Sequence, residues 1–510
     1  MSSGLGLRTW GLRLASTTHL HSTRRRSSFS SLSFPPRRVL TTTCSVSNPV
    51  RGEKKQKVIV ISGPTGSGKS RLALELAKRL NGEIISADSV QVYRGLDIGS
   101  AKPLPSDRKE VPHHLLDILH PFEDYSVGQF FEDARQATAD ILKNGHVPIV
   151  AGGTGLYLRW YIYGRPEVPK ASLEVASEAY SELMLLQRNG DWDAAVQLVE
   201  KAGDPKAHLV ARNNWYRLRR SLEIIRLTGS PPSAFHVPYD SFRGHLDKQV
   251  SDAPYDGASM TDGPGETLSK DLDYDFICFF LSSPRVDLYR QIDLRCEEML
   301  AGDKGILSEA TWLLDLGLLP NMNSATRAIG YRQAMEYLVN CREHGGSSAG
   351  DFHAFLSEFQ KSSRNFAKRQ MTWFRNELIY QWLDASQPLE KVLNFILDAY
   401  HDESGKVVVP ESLRMVKDVT GRREASELKT YRTKNRHFRT REDCSLVLDW
   451  ISRNQDSVLI GSVEKVLNFI LDAYHDESGK VVVPESLRMV KDVTGRREAS
   501  ELKTYRTKNR

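Results

Sequence analysis

Residues Gly63–Ser70 read GPTGSGKS, the G-x-x-x-x-G-K-S spacing of a phosphate-binding P-loop. Gly63, Gly66 and Gly68 let the backbone turn its N–H groups inward, with Pro64, Thr65 and Ser67 between them. A helix starting near Ser70 would add its positive end, Lys69 a point charge and the Ser70 hydroxyl a ligand for Mg²⁺. The motif specifies a polyphosphate and leaves open which molecule carries it. A glycine-rich turn without ligand is the plainer reading, and the strand and helix patterns that flank the motif oppose it.

Asp88, in SADSVQVYRGLDIGSAKP, ends an apolar run about twenty residues beyond the loop. A carboxylate there suits a Mg²⁺ ligand, a general base or a turn cap, and its own spacing does not choose. GGTGLYLRWYIYG (Gly152–Gly164) brings glycines and the Thr154 hydroxyl to another strand end. Three later stretches interleave cations with aromatic rings: Arg217, Arg219 and Arg220; Arg327, Tyr331 and Arg332; and Arg364, Lys368, Arg369 and Arg375 among Phe366, Trp373 and Phe374. That mixture suits phosphate contacts and base stacking on RNA, and it equally describes a solvated amphipathic helix.

These residues need a scaffold. Short apolar runs at Lys57–Ile61, Glu83–Asp88, Val147–Gly155 and Tyr274–Ser282 predict strands, and helix spacing predicts a helix over Ser70–Leu80. The alternation predicts an α/β fold: a P-loop NTPase-like parallel sheet flanked by helices, with an inserted helical domain and a helical C-terminal region. In such a sheet Gly63–Ser70, Asp88 and Gly152–Gly155 line one crevice at the strands' carboxyl ends. The expected organisation is a leader over 1–50, the first part of the core over 55–165, a helical insert over 166–230, a flexible insertion over 231–272, completion of the core by mostly helical chain over 273–385, and an extension over 386–510.

The chain has 510 residues, 40% hydrophobic and 26% charged, with net charge +6, as expected for a globular protein that tolerates a nucleic-acid partner. Five scattered cysteines predict neither a disulfide framework nor a zinc site, and no apolar run is long enough to span a bilayer. The first acidic residue is Glu53, after a Ser-rich leader carrying Arg8, Arg13, Arg24, Arg25, Arg26, Arg37 and Arg38. That composition predicts an organellar transit peptide, plastid before mitochondrion, with a disordered basic tail and a cytoplasmic location as the alternative. Glu390–Arg436 and Glu464–Arg510 are identical over 47 residues, and the second copy is expected to add no chemistry.

Together GPTGSGKS, IISADSVQVYRGLDIGSAKP, PHHLLDI, YSVGQF, GGTGLYL, RLRRSLEI, RQIDLRCEEMLAGDKGILSEA, RAIGYRQ and AKRQMTWFRN resemble, in order, the tRNA dimethylallyltransferases over about Lys57–Asp384. The resemblance implies transfer of a dimethylallyl group from dimethylallyl diphosphate to N6 of the adenine at position 37, beside the anticodon, with Mg²⁺ at Ser70. It implies Asp88 as the base, Lys69 on the diphosphate and Thr154 beside the reacting groups. It assigns contacts with the tRNA anticodon stem-loop to Asp88, Ser89, Val90, Gln91, Arg217, Arg220, Arg327, Gly330, Tyr331, Arg332, Arg364, Lys368, Arg369 and Gln370. It also implies a monomer, no membrane and a contribution to tRNA-derived cytokinins. The tail carries no Cys₂His₂ finger and is expected either to add RNA affinity or to be a solvated helical extension. The rivals are an adenylate isopentenyltransferase acting on free AMP, ADP or ATP, a small-molecule kinase, and an RNA-binding protein with a silent P-loop.

Overall fold

The computed structural model describes residues 55–210, 212, 214–240, 272–302, 305–404, 408–415 and 428–454. The leader, most of the 231–272 segment and the second 47-residue copy lie outside the described residues. Strand β1 (Lys57–Ser62) runs through the P-loop into α1 (Lys69–Leu80), and β2 (Gly82–Ser86) follows. Next come α2 (Pro105–Glu110), β3 (His113–His114), α3 (Val127–Lys143), β4 (Val147–Gly152) and α4 (Gly155–Tyr163). Three helices follow: α5 (Leu173–Arg188), α6 (Trp192–Ala202) and α7 (Trp215–Thr228). The chain continues as β5 (Asp275–Ser282), α8 (Arg285–Glu298), α9 (Ile306–Asp315), α10 (Tyr331–His344), α11 (Ala349–Arg375) and β6 (Gln381–Asp384). The last two helices are α12 (Leu389–His401) and α13 (Ser445–Arg453).

The strands form one parallel sheet in the order β3-β2-β4-β1-β5-β6. Strand β1 is central and apolar on both faces, because side chains alternate along a strand. Val58 and Val60 face the larger core, with Phe280 of β5, Leu158 of α4 and Phe374 of α11. Ile59 and Ile61 face the second core, with Leu72 and Leu76 of α1. The helices α5–α7 bury a separate small core around Leu183, Trp192, Val199 and Leu222, with the rings of Trp192 and Trp215 edge to face at 5.1 Å.

Two elements differ from the sequence expectation. Residues 381–384, expected within helical chain, form the edge strand β6 beside β5, and β3 has only two residues. Strands this short carry no readable alternation. The extension also departs from a solvated tail. Val392, Leu393, Ile396 and Ala399 form one face of α12, buried in the second core beside α1. Each of the larger side chains contributes about 1.5–3 kcal/mol by leaving water.

Close packing fixes several glycines. A Cβ on Gly155 would lie 2.3 Å from Trp373 Nε1, and the Arg159 guanidinium already covers that indole at 4.1 Å. Gly155→Ala must therefore push α4 and α11 apart, costing about 1–3 kcal/mol as overpacking. A lowered denaturation midpoint is expected, and an unchanged one would show that this contact yields without cost.

Candidate active site

The loops after β1, β2 and β4 meet helices α8 and α11 around a cavity of about 1030 Å³. Its walls include Thr65, Gly66, Lys69, Ser70, Asp88, Thr154, Arg295, Arg327 and Arg369. The carboxyl ends of a parallel sheet are where such ligands bind. The volume is at the upper end of small-ligand sites, with room for two reactants rather than one.

Gly66 and Gly68 adopt φ of 82° and 86°, a left-handed conformation that glycine takes without strain. That path turns the loop into α1, whose first N–H groups have no helical acceptor and point toward the cavity end. Gly63, Pro64 and Ser67 shape the loop from beneath: all three are buried and do not line the cavity. A Cβ on Gly63 would meet the Leu281 carbonyl at 2.3 Å. Pro64 supplies its carbonyl to Ser67 N–H and to Lys69 Nζ, at 3.2 and 2.7 Å. The loop residues that line the cavity are Thr65, Gly66, Gly68, Lys69 and Ser70.

Two cations face this loop. Lys69 is half-buried, and burial together with nearby Arg295 pushes its amine down to about 7, against a smaller upward pull from Asp88. Arg295 projects from α8 and donates from Nη1 to Thr65 Oγ1 at 3.2 Å. Burial lowers Arg295 as well, but a guanidinium stays charged. Two desolvated cations side by side form an anion site, since a bound polyanion relieves both penalties.

Asp88 stands across from them. Its Oδ1 accepts the Val90 N–H at 2.9 Å and the Gln91 N–H at 3.4 Å, which fixes the carboxyl group. Its other oxygen takes no hydrogen bond from the described residues. Thr154 Oγ1 accepts the Ser89 N–H at 3.2 Å, leaving its own proton to donate. Thus the turn-cap reading of Asp88 holds for one oxygen, and the second remains for chemistry.

The expected RNA contacts divide. Ser89, Val90, Arg327 and Arg369 line the cavity, and Arg327 and Arg369 are exposed. Arg217 is exposed and Lys368 is exposed, both outside the cavity, while Arg220 is held by Glu223 and the Pro169 carbonyl. Among the described residues Arg332 pairs with Glu336 at 3.9 Å.

Five others make contacts within the protein, and of these Gln91 and Gln370 also line the cavity. Gln91 bonds Ser86 and the carbonyls of Ser100 and Ala101. Gly330 is buried with φ 93°, and its Cβ would strike Ile306 and Phe359 at 2.9 Å. Tyr331 is fully buried, its hydroxyl donating to Glu309 at 2.6 Å. Arg364 is paired with buried Asp293. Gln370 is 7% exposed, accepts Thr65 N–H at 2.9 Å and donates to the Gly153 carbonyl at 3.1 Å. Trp373 and Phe374, read as stacking rings, pack against Arg159 and Phe280.

Sequence reasoning missed Arg295 and Glu309. Arg295 sits among Ile292, Cys296 and Met299, a cation on the apolar face of a helix, which is a readable signal. Glu309 accepts three consecutive N–H groups, those of Asp97, Ile98 and Gly99, at 2.7–3.0 Å. No spacing in the sequence links residues so far apart.

The lowered Lys69 amine yields a prediction. A bound diphosphate favours the charged lysine and raises its pKa, so at pH 8 binding takes up to about one proton. The lysine's contribution to affinity is full below pH 7 and fades above it. Calorimetry of diphosphate binding in buffers of different ionisation heat should show this uptake, and Lys69→Met should abolish it. Equal uptake by both proteins would remove Lys69 from the anion site.

The sequence matches the IPP transferase family over residues 91–377 and the Isopentenyl transferase family over residues 56–117. The tRNA dimethylallyltransferase 9 of Arabidopsis thaliana is 66% identical over 417 residues, covering 81% of this chain and 90% of that protein. A tRNA dimethylallyltransferase of Protochlamydia amoebophila is 39% identical over 350 residues, 68% of this chain and 90% of its own length. The solved tRNA isopentenylpyrophosphate transferase of Bacillus halodurans is 30% identical, with a TM-score of 0.44, over 69% of this chain and 98% of that one. With a family match over residues 91–377 and curated tRNA dimethylallyltransferases 66% and 39% identical over 81% and 68% of its length, this chain belongs to the IPP transferase family, that of the tRNA dimethylallyltransferases.

Proposed function

We propose that the protein transfers a dimethylallyl group from dimethylallyl diphosphate to N6 of adenine 37 in tRNA. The carrying observation is the opposition, across one cavity, of a two-cation anion site and a carboxylate with a free oxygen. In this reaction N6 attacks the allylic carbon, the bond from that carbon to the diphosphate oxygen breaks, and the N6 proton leaves. Lys69, Arg295 and the P-loop amides stabilise the negative charge that grows on the departing diphosphate. Asp88 takes the proton through its free oxygen, its other oxygen held by two backbone amides. The Thr154 hydroxyl is oriented by Ser89 N–H to donate beside them.

Mg²⁺ suits this site. The exposed Ser70 hydroxyl would hold it, and no cluster of three His, Cys, Asp or Glu is found among the described residues. Mg²⁺ binds through few protein oxygens plus substrate phosphates. When bound, the ion would add positive charge at the leaving diphosphate.

Exposed Arg217, Arg327, Lys368 and Arg369 are cations placed to meet RNA phosphates. The target base must leave its stack to enter the cavity. The reading on free AMP is weaker: the Isopentenyl transferase match stops at residue 117, whereas the IPP transferase match continues to 377, across Arg327 and Arg369. We further propose a plastid-directed leader, on its acid-free Arg- and Ser-rich composition.

Labelled dimethylallyl diphosphate, offered with tRNA and with AMP in parallel, should mark tRNA alone. Label on AMP alone would overturn the assignment. Asp88→Ala should lower kcat by about 10²–10⁴-fold while keeping most tRNA affinity, and near-normal turnover would exclude Asp88 as base.

A further inference from the structure

The C-terminal extension grips the helix that presents Arg295. Asp293 and Glu297 are one turn apart on α8 and share a face, and Arg295, midway between them, lies on the opposite one. The Arg295 face lines the cavity with Ile292, Cys296 and Met299. The carboxylate face is turned to residues 428–454.

Asp293 is 2% exposed, accepts the Tyr431 hydroxyl at 2.6 Å and pairs with Arg364, which also donates to Thr433 Oγ1 at 3.1 Å. Glu297 is fully buried and accepts the N–H groups of Arg436, His437 and Phe438 at 2.7–3.2 Å. Gln360 of α11 donates to the Asp293 carbonyl and to Asn435 Oδ1, at 3.2 and 3.0 Å. Phe438 is buried edge-on to Phe352 at 4.9 Å, and Cys444 and Ile451 are buried behind it. Two buried carboxylates on one helix face, both satisfied by the same segment, are a costly arrangement for a mere tail. Without it Glu297 would be left uncompensated and Asp293 would keep Arg364 as its partner but lose the Tyr431 hydroxyl.

We infer that residues 428–454 are a strap that completes the diphosphate-donor site, with Tyr431 and Glu297 as positioning residues that set the rotation and depth of α8 and hence the place of the Arg295 guanidinium. The inference rests on the reading of this cavity as the donor site. Arg295 reaches Thr65 from a helix otherwise anchored at its rear, so loosening the rear moves the cation relative to the P-loop. Displacements of about 1 Å at such a group cost up to roughly 100-fold in rate or affinity. The RNA-facing cations Arg217 and Lys368 make no contact with the strap among those described, so RNA binding is spared.

The test uses the full chain. Tyr431→Phe removes one hydroxyl and keeps the ring against Tyr289, 5.7 Å away, so the variant folds even if Glu297→Gln does not. Inorganic diphosphate binding with Mg²⁺ present, KM and kcat for dimethylallyl diphosphate, tRNA affinity and melting temperature are measured for wild type and both variants. Tyr431→Phe should weaken diphosphate binding and raise the donor KM together by about 3–10-fold, the share of a charge-assisted hydrogen bond that reaches Arg295. Its kcat should stay within about twofold and its tRNA affinity should be unchanged. A lowered melting temperature with unaltered diphosphate affinity would reduce the strap to a stabilising element and overturn the inference. Equal losses for diphosphate and tRNA would also overturn it. Absence of diphosphate binding by the wild type would instead overturn the donor-site reading, and this inference with it.

Discussion

One neutral amide couples the two loops that make the cavity. Gln370 takes the Thr65 N–H of the P-loop on its oxygen and gives its nitrogen to the Gly153 carbonyl after β4. It does so while nearly fully buried, in a site already holding Lys69, Arg295 and Asp88. A charged residue at that place would bias both titratable neighbours, whereas an amide satisfies a donor and an acceptor without adding to the field. Gly153 leaves the space it needs, since a Cβ there would lie 2.3 Å from Gln370 Nε2. The long helix α11 thereby sets the spacing between the anion site and the Asp88–Thr154 side.

The same molecule holds two irregular segments with carboxylates. Glu309 caps the three amides of Asp97–Gly99 and also binds the Tyr331 hydroxyl, whose ring lies where a Gly99 Cβ would fall, 2.6 Å away. Glu297 does the same for Arg436–Phe438. Lys102, 1% exposed at its side chain, adds a second lock by pairing with Asp97 and Asp117. Consecutive amides converging on one carboxylate are stronger than neutral hydrogen bonds. Asp97–Gly99, held this way, line the cavity without regular secondary structure.

These locks explain why basic and aromatic residues near the site so often serve packing. Arg159 lies between the rings of Tyr239 and Trp373, 4.0 and 4.1 Å from their centres, and pairs with buried Glu377. Arg364 is spent on Asp293. Of the cations expected to meet RNA, Arg217, Arg327, Lys368 and Arg369 are exposed, and Arg327 and Arg369 line the cavity, as does exposed Arg71 at the start of α1.

The sequence by itself determined the sheet strands β1, β2, β4 and β5, the P-loop, and the meeting of Lys69, Ser70, Asp88 and Thr154, because these depend on local patterns and on the rule that parallel strands end at one edge. The ordered motifs also determined the family. Tertiary structure alone decided which polar groups were left for chemistry. Tyr331, Arg364 and Gln370 carry the residue types of an RNA surface, yet each is bonded to a partner distant in the chain, and Gln91 is bonded to nearby Ser86, Ser100 and Ala101. Arg295 became a site residue only when α8 was set against the P-loop, and the extension became a strap only when Asp293 and Glu297 met it. Hydrogen-bond satisfaction is a property of three-dimensional neighbours, so residue type and spacing record the capacity of a side chain but not its partner.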